Sequence, residues 1–485
     1  MRNTMNNCNQ FYINGQWQAP LSDEVRDITN PATEKPCGKL AMGCNADIDK
    51  AVAAAKKAFP TWSLSTKEER ISLIEKIIAT YQKYYAEIAI AITTEMGAPK
   101  KLSETVQTAM GLGHFSTTLE TLKTFSFQQS LNNKSTTNII KEPIGVVGLI
   151  TPWNWPMNQV ICKVAPALAA GCTIVLKPSQ DSALSAYWLA KVMDEAGVPA
   201  GVFNLVNGSG SKIGDYLCGH ADVDMISFTG STPAGVAVSK KAAETIKRVS
   251  LELGGKSANI IIDDADFTKA VSGGVASCMG NCGQTCTAPT RMLVPEDKME
   301  EAITIAKAVA DKTLIGVGDP TSETTLLGPV ANKSQFNKIQ EMIEVGINEG
   351  AKLIAGGLGR PSGLENGYYV KPTIFAYVDN KMAIAQEEIF GPVLCIIPYK
   401  DEQDAINIAN DSPFGLSGYV SSASLERAQR VAAQMRTGMV HINGAKPDLT
   451  APFGGYKQSG NGREWGEHGL DDFLEIKSVM GWHTA

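Results

Sequence analysis

GVVGLITPWNWP, residues 145–156, joins an apolar run to a rigid turn that contains two prolines and two tryptophans. Such a run, apolar at every position, indicates a strand buried on both faces, as in a parallel sheet. Similar runs follow at 173–176 (TIVL), 202–206 (VFNLV) and 225–228 (MISF). Because helical stretches separate the runs, we predict a doubly wound parallel sheet, which binds ligands beyond the carboxyl ends of its strands.

The flanking sequence extends this pattern in both directions. Residues 46–59 and 67–94 have helical apolar spacing, and Thr66 with Glu69 forms a capping-box pattern. A second α/β series predicts a second sheet, with an active-site cleft between the two domains. Its predicted strands are 258–262, 291–294, 393–398 and 438–442, and its predicted helices are 297–312 and 333–348.

The predicted domains follow from these two series. One α/β domain comprises residues 1–120 and 141–252, and the other comprises residues 253–457. Residues 121–140 and 458–485 fit neither sheet, and we predict that they form a small β arm and a C-terminal segment used in assembly.

The composition excludes several classes of protein. The chain has 485 residues, 44% hydrophobic and 19% charged, with a net charge of −6 and no basic cluster. This predicts no nucleic-acid partner. The N-terminus lacks the features of a signal peptide, and no apolar run is long enough to span a membrane. Ten cysteines in a chain of this length do not indicate a disulfide scaffold. We therefore predict a cytoplasmic protein without a membrane partner.

Three cysteines, Cys278, Cys282 and Cys286, lie four residues apart. The five histidines lack the paired spacing of zinc sites, so we predict no metal. A helix over 270–281 with Gly283 at its C′ position would put Cys278 and Cys282 on one face as packed thiols. Cys286 would then lie in a loop beyond the helix. It is a candidate nucleophile, and a redox couple is the alternative.

Two glycine-rich turns are candidate phosphate sites. GSGSKIG (208–214) has the wrong spacing for a dinucleotide fingerprint, and we interpret it as an ordinary turn. TGSTPAG (229–235) follows a strand and precedes a helix whose first amides suit a pyrophosphate. An ordinary capped turn explains the second segment equally well.

Two polar residues stand out near predicted strand ends. Glu252, in LELGGK, is either a solvated carboxylate or a partly desolvated base with a raised pKa. Asn154, in the PWNWP turn, either donates to an oxyanion or belongs to a hydrophobic plug. The residues alone leave both questions open.

Taken together and in order, these motifs resemble those of the aldehyde dehydrogenase superfamily. The resemblance covers nearly the whole chain, from NPAT at 30–33 to the glycine-rich segment near the C-terminus. The remaining motifs are PWNWP (152–156), KPS (177–179), FTGST (228–232), LELGGK (251–256), GQTC (283–286), EEIFGPV (387–393) and PFGGYKQSGNGRE (452–464).

The resemblance implies a reaction and its principal residues. Cys286 would attack an aldehyde, and Asn154 would stabilise the hemithioacetal oxyanion with the Cys286 amide. NAD or NADP would take the hydride, and water activated by Glu252 would hydrolyse the thioester to a carboxylic acid. Lys163 and Glu464 resemble the pair behind this base; otherwise Lys163 is a helix-surface lysine. The presence of Glu252 favours the hydrolytic branch over CoA-acylating members.

The resemblance also identifies the two domains as cofactor-binding and catalytic Rossmann-like domains, and it implies a homodimer or homotetramer. NAD-preferring members commonly have Glu where this chain has Gln180, so we predict that NADP is tolerated. The expected cofactor-binding residues are Trp153, Lys177, Ser179, Gln180, Gly230, Ser231, Glu388 and Phe390.

The expected substrate tunnel contains one large aromatic and several polar groups, which favours a small or polar aldehyde. Its residues are Trp155, Asn158, Gln159, Cys162, Thr285, Thr287 and the loop 445–451. The alternative function is a nicotinamide-independent thiol hydrolase or acyl-transfer enzyme that uses Cys286. A non-catalytic member of the fold is argued against by the presence of Cys286, Glu252 and Asn154.

Overall fold

In the first sheet, the strand that begins at Val146 is the middle one of five parallel strands. A computed structural model describes residues 7–132 and 136–482. The sheet has seven strands, five of them parallel, and an N-terminal antiparallel hairpin at one edge. Their spatial order is Arg248–Glu252, Met225–Thr229, Val146–Ile150, Thr173–Lys177, Phe203–Leu205, Phe11–Ile13 and Gln16–Gln18.

Alternate residues of the central strand pack on opposite faces of this sheet. Val147 and Leu149 join one apolar cluster, and Val146 and Ile150 join another. This two-sided burial explains the unbroken apolar run in the sequence. The chain order reverses between Val146–Ile150 and Met225–Thr229, so the loops after these two strands lie at the switch point of the sheet.

Helices cover both faces of the first sheet. The capping box at Thr66 is confirmed, because Thr66 Oγ1 accepts the Glu69 amide and Glu69 accepts the Thr66 amide. The helical spacing over 67–94 corresponds to two helices, which meet at Tyr84. The principal helices are Asn45–Trp62, Lys67–Lys83, Tyr85–Met96, Thr108–Thr124, Pro156–Ala170, Ala183–Glu195, Asp215–Gly219 and Thr232–Ala242, with π-helical turns at Ser103–Gln107 and Gly210–Gly214.

The second sheet also has seven strands, all parallel except the first. Its spatial order is Lys352–Ala355, Thr373–Ala376, Val393–Tyr399, Arg291–Pro295, Ala258–Ile261, Ser417–Ser421 and Met439–Ile442. The helices around it are Phe267–Met279, Met299–Ile315, Lys333–Asn348, Ala383–Gln386, Glu402–Asn410 and Leu425–Ala432. The predicted fold, two doubly wound α/β domains, is confirmed.

The predicted arm segments pair with each other. Gln128–Ser130, Asn138–Pro143 and Leu474–Val479 form a three-stranded antiparallel sheet. Residues 121–124, which we assigned to the arm, instead complete the helix Thr108–Thr124. The domain boundaries and the assembly role of the arm remain predictions.

The N-terminal segment contains strands that the apolar pattern did not predict. Most of their side chains are polar or partly exposed, whereas Phe11–Ile13 is apolar and fully buried but only three residues long. Beside the hairpin of the first sheet, a three-stranded sheet comprises Asn7–Cys8, Lys35–Ala41 and Val25–Asn30. The remaining short elements are the strand pair Phe414–Gly415 and Tyr456–Lys457, the helices Lys100–Leu102 and Gly466–Asp471, and the 3-10 turns Gln180–Ser182, Ala243–Thr245, Gly280–Gly283 and Glu296–Lys298.

Candidate active site

A cleft between the two sheets brings together residues that are far apart in the sequence. Eight of the predicted site residues line it, seven of them from four different motifs and one from the helix after PWNWP. Gln335 and Lys338 also line it, and sequence reasoning missed them. The predicted residues in the cleft are Trp153, Asn154, Gln159, Gly230, Ser231, Cys286, Glu388 and Phe390.

The candidate nucleophile lies beyond the end of a helix, but the helix ends earlier than predicted. Helix Phe267–Met279 is capped by Gly280, not Gly283, and Cys282 lies outside it with a positive φ of 55°. The prediction that Cys278 and Cys282 share one helical face is therefore wrong. Both thiols are buried and donate to backbone carbonyls, Cys278 to Val393 and Cys282 to Gly328. Cys286 is partly exposed in the cleft.

Gly255 of the LELGGK motif allows the Cys286 loop to approach the end of the Glu252 strand. A Cβ on Gly255 would lie 2.4 Å from the carbonyl oxygen of Cys286. The amide of Gly255 donates to Glu388 Oε1 at 3.0 Å. One turn therefore contacts both the nucleophile loop and the EEIFGPV segment, which explains why a residue without a side chain is needed there.

The Asn154 side chain is fixed beside the nucleophile loop. It is 2% exposed, and its Nδ2 donates to the carbonyl oxygen of Gln284, two residues before Cys286, at 3.1 Å. A carboxamide carries two N–H donors. The second one is available to an oxygen in the cleft that Asn154 and Cys286 both line.

The surroundings of Cys286 favour the neutral thiol. Burial raises its pKa well above the usual range, and the carboxylates of Glu388, Glu252 and Glu464 raise it further. A cysteine in this environment needs a base or an added positive charge to become a thiolate.

Glu252 is a buried carboxylate with no ordinary partner. It is 2% exposed at the end of its strand, and within the described parts of the chain neither carboxylate oxygen has a hydrogen-bond partner. Burial raises its pKa well above the usual range, Glu464 raises it further, and Lys163 opposes the shift. These are the properties of a general base rather than of a solvated strand end.

Lys163 and Glu464 form a buried ion pair behind Glu252. They are 1% and 5% exposed, and Lys163 Nζ contacts Glu464 Oε1 and donates to Ser227 Oγ at 3.1 Å. Burial is the largest single effect on the pKa of Lys163 and lowers it, but Glu464, Cys162 and Glu252 together outweigh burial, and the net shift is upward. The alternative of a helix-surface lysine is therefore wrong.

Cys162 lies next to this ion pair. Its thiol donates to Glu464 Oε2 at 3.2 Å, and the residue is 3% exposed. The structure therefore places Cys162 against Glu464, not in the position of a tunnel wall that we expected from the sequence.

The TGST turn precedes a helix of 11 residues that begins at the switch point of the first sheet. Ser231 caps this helix by accepting the amide of Ala234. The buried hydroxyl of Thr229, which lines the cleft, has no hydrogen-bond partner in the described regions. An unpaired hydroxyl, a glycine turn and a helix N-terminus together fit the phosphates of a dinucleotide.

A second group of cofactor candidates lies at the end of strand Thr173–Lys177. Lys177 is 3% exposed, and its Nζ donates to the carbonyls of Pro178 and Gly208. Burial lowers the pKa of Lys177 to about 8. Ser179 accepts the Asp181 amide, and the Gln180 side chain accepts a hydrogen bond from Arg26. These residues do not line the cleft itself.

Gln335 and Lys338 hold the segment that contains Glu388 and Phe390. Gln335 Nε2 donates to the carbonyls of Ile389 and Phe390 at 2.9 and 2.8 Å, and Lys338 Nζ donates to that of Glu388 at 2.7 Å. Phe390 has a φ of 60° and packs edge to face on Trp153, with centroids 5.6 Å apart. Gln335 and Lys338 lie three residues apart on a predicted helix, so the sequence indicates that they share a face. It does not indicate which segment that face contacts.

The predicted tunnel residues lie around the start of helix Pro156–Ala170. Trp155 Nε1 donates to Thr285 Oγ1 at 3.0 Å, and the carbonyl of Thr287 accepts the Tyr419 hydroxyl at 2.9 Å. Asn158 bonds to the imidazole of His114 at 2.8 Å. Thr285 and Thr287 are the neighbours of Cys286 in the chain, and Trp155 is joined to Thr285 by a hydrogen bond.

An aromatic cluster continues from His114 and was missed by sequence reasoning. The ring centroid of His114 lies 5.3 Å from that of Trp465, and the Trp465 centroid lies 4.5 Å from that of Phe453. In the loop 445–451, Leu449 approaches Gly113 on the same helix as His114. No sequence pattern indicates this cluster, because His114 lies more than 300 residues before Phe453 and Trp465.

Within residues 7–132 and 136–482, no group of three or more His, Cys, Asp and Glu side chains is arranged to hold a metal ion. No helix in the same ranges has the length and apolar character needed to cross a bilayer.

Comparison with known proteins agrees with this geometry. A model of the aldehyde dehydrogenase family matches residues 17–479. The chain is 56% identical to a 3-succinoylsemialdehyde-pyridine dehydrogenase from a Pseudomonas species over 482 residues, which cover 99% of this chain and 100% of the relative.

Solved structures extend the comparison to three dimensions. A mutant of aldehyde dehydrogenase C from Pseudomonas syringae, in complex with NAD+ and octanal, matches with 49% identity and a TM-score of 0.96, over 99% of this chain and 98% of that one. An aldehyde dehydrogenase from Mycobacterium tuberculosis in complex with NAD+ matches with 40% identity and a TM-score of 0.95, over 98% of both chains. The chain belongs to the aldehyde dehydrogenase family, and it is an enzyme that oxidises an aldehyde with a nicotinamide cofactor.

Proposed function

We propose that this enzyme is a hydrolytic aldehyde dehydrogenase in which Cys286 is the nucleophile and Glu252 is the general base. The observation that carries the proposal is the single cleft shared by Cys286 and Asn154, with the unpaired carboxylate of Glu252 buried close enough to raise the pKa of the Cys286 thiol.

In the first half of the reaction, Cys286 releases its thiol proton to solvent, and its sulfur adds to the aldehyde carbon to give a hemithioacetal oxyanion. The free N–H of the Asn154 side chain and the backbone amide of Cys286 stabilise the oxygen that becomes negative. A bound nicotinamide supplies the hydride acceptor. Loss of hydride from the hemithioacetal carbon leaves a thioester on Cys286.

In the second half, Glu252 takes a proton from a water molecule that attacks the thioester carbonyl. Its raised pKa suits a general base that works near neutral pH. The pair of Lys163 and Glu464 provides a route by which the proton leaves Glu252. The sulfur of Cys286 leaves the thioester carbon and takes up one proton of the water, so the products are the ionised carboxylic acid and the free Cys286 thiol, with the second proton released.

The experiment is a comparison of wild type with Cys286→Ala and Asn154→Ala, with formation of reduced nicotinamide and acid measured together. We expect Cys286→Ala to form neither product, and Asn154→Ala to lose about 10²- to 10³-fold in kcat. The alternative, a thiol hydrolase without a nicotinamide, predicts acid formation that is independent of the cofactor. Activity retained in Cys286→Ala would overturn the proposed function.

The cofactor preference depends on the surroundings of Gln180. A neutral amide does not repel a 2′-phosphate, and Arg26 adds a positive charge beside it, although Arg26 also pairs with Asp181 at 3.2 Å. We therefore expect NADP+ to be used. Gln180→Glu should shift the ratio of kcat/KM toward NAD+, and an unchanged, strong NAD+ preference in both enzymes would contradict this assignment.

The aromatic cluster supports an aldehyde that carries a ring and a polar group. Phe453 packs on Trp465 beside His114, which bonds to Asn158, and Trp155 adds an aromatic side chain that bonds to Thr285. This agrees with the pyridine-containing semialdehyde in the name of the 56% identical relative. A panel of alkyl and aryl aldehydes with and without a second carbonyl would test it, and equal kcat/KM across the panel would contradict it.

We also propose a cytoplasmic homo-oligomer that assembles through the arm. All ten cysteines are free thiols, which suits a reducing compartment. The edge strand Leu474–Val479 exposes Ile476 to 69%, and the residues after it expose Met480 to 74% and Trp482 to 41%. An exposed apolar strand edge is a pairing surface. Ile476→Asp should lower the oligomer mass in light scattering.

A further inference from the structure

Three consecutive residues before the nucleophile loop have a left-handed backbone. Asn281, Cys282 and Gly283 have φ values of 52°, 55° and 68°. Such a run is unfavourable for residues with a Cβ, and it persists only when surrounding contacts hold it. The chain returns from it directly to Gln284, Thr285 and Cys286.

The side chain of Asn281 makes the contacts that hold this run. It is 5% exposed, and its Nδ2 donates to the carbonyl oxygens of Asn154 at 2.9 Å and of Gln284 at 3.2 Å. Its Oδ1 accepts a hydrogen bond from Gln107 Nε2 at 3.1 Å. One carboxamide therefore joins the PWNWP turn, the nucleophile loop and the π-helical turn that ends at Gln107.

The same carbonyl of Gln284 also accepts the side chain of Asn154. Asn154 is thus attached to the nucleophile loop twice, by its own amide and, through Asn281, by its backbone. Gln284 Nε2 donates to the Asn281 carbonyl at 3.1 Å and closes the network. The position of the Asn154 donor relative to Cys286 depends on these bonds.

From this network we infer that Asn281 is a positioning residue that fixes the separation between the oxyanion donor Asn154 and the nucleophile Cys286. The inference rests on the proposed function. Asn281 acts through Asn154 and the Gln284 carbonyl, and no contact with the reacting atoms is required. A misplacement of ~1 Å in such an arrangement lowers the rate by about 10²-fold.

The test compares Asn281→Gly with Asn281→Ala. Glycine relieves the left-handed backbone but removes the carboxamide, whereas alanine keeps the strain and removes the same hydrogen bonds. We expect the single-turnover rate constant and kcat to fall at least about tenfold in both variants. Asn281→Gly should unfold at a higher temperature than Asn281→Ala. If Asn281 serves only to adopt the left-handed backbone, Asn281→Gly will keep wild-type kcat, and the inference is wrong.

Cys282→Ala is the matched control. Cys282 is also left-handed and buried, but its thiol donates to Gly328 rather than to the PWNWP turn. Its kcat should stay within about twofold of wild type. The alkylation rate of Cys286 provides a second readout, and its change in Asn281→Gly should exceed that in Cys282→Ala. An inactive Cys286→Ala together with a fully active Asn281→Gly would overturn this inference and leave the proposed function intact.

Discussion

Glu252 and Glu464 are carboxylates buried to a similar extent, 2% and 5% exposed, but their surroundings are opposite. Glu464 contacts the Lys163 ammonium with one oxygen and the Cys162 thiol with the other. Both oxygens of Glu252 lack a partner in the described residues. Pairing stabilises a buried charge, and isolation makes the neutral form easier to reach. The comparison explains how one site can contain a base and a fixed counter-charge.

The largest effect is expected for Glu252→Gln. Loss of the base should lower steady-state turnover by about 10²- to 10⁴-fold, because thioester hydrolysis depends on it. The first turnover of reduced nicotinamide should slow far less. Stopped-flow absorbance distinguishes the two phases. If Glu252→Gln shows no first turnover, as Cys286→Ala should, the assignment of Glu252 to hydrolysis fails.

Breaking the ion pair of Lys163 and Glu464 tests the paired environment of Glu464. Lys163→Met leaves Glu464 buried without its cation, which should lower the free energy of unfolding by about 3–5 kcal/mol. The double variant Lys163→Met/Glu464→Gln removes both charges and should recover most of the stability while turnover remains slow. Urea denaturation measures the first quantity and steady-state kinetics the second. Recovery of turnover in the double variant would show that the pair is only structural.

The fold and the candidate reacting residues were accessible from the sequence for different reasons. Unbroken apolar runs located most of the parallel strands, because two-sided burial leaves no polar positions in strands such as Val146–Ile150, but they did not locate Thr373–Ala376 or Ser417–Ser421 in the second sheet. Most N-terminal strands escaped because their burial is partial and depends on distant partners, as in Val25–Asn30, and Phe11–Ile13 escaped because it is an apolar run of only three residues. We predicted that the helix ends at Gly283, but it ends at Gly280. Gly283 is a glycine because Gly391 lies close to it, and the sequence does not distinguish such a contact from a helix cap.

Motif order identified Cys286, Glu252 and Asn154, but not the contacts between them. The isolation of Glu252 and the burial of Lys163 are tertiary facts, and a sequence motif does not encode whether an oxygen has a partner. Asn281 and Gln107 are 174 positions apart. Long-range hydrogen bonds of this kind need coordinates, and they connect the residues that sequence reasoning missed.

The pH dependence of stability should differ between wild type and Glu252→Gln. Because the folded state raises the pKa of Glu252, it binds the proton more tightly than the unfolded chain does. Its stabilising contribution is complete below the unfolded pKa of ~4.3 and is lost as pH rises through the folded pKa. Glu252→Gln should therefore unfold at the same temperature as wild type near pH 4 and at a higher one at alkaline pH. Equal melting temperatures across that range would contradict the shift.

The smallest effect concerns Cys162, the second donor to Glu464. A thiol is a weak donor, so Cys162→Ala should lower turnover only ~2- to 10-fold, equivalent to ~0.5–1.5 kcal/mol. Cys162→Ser keeps a donor and should recover most of the loss. Cys172→Ala is the control, because Cys172 is equally buried but donates to the Phe473 carbonyl. If serine and alanine at position 162 behave alike, the thiol only fills space, and Lys163 alone distinguishes Glu464 from Glu252.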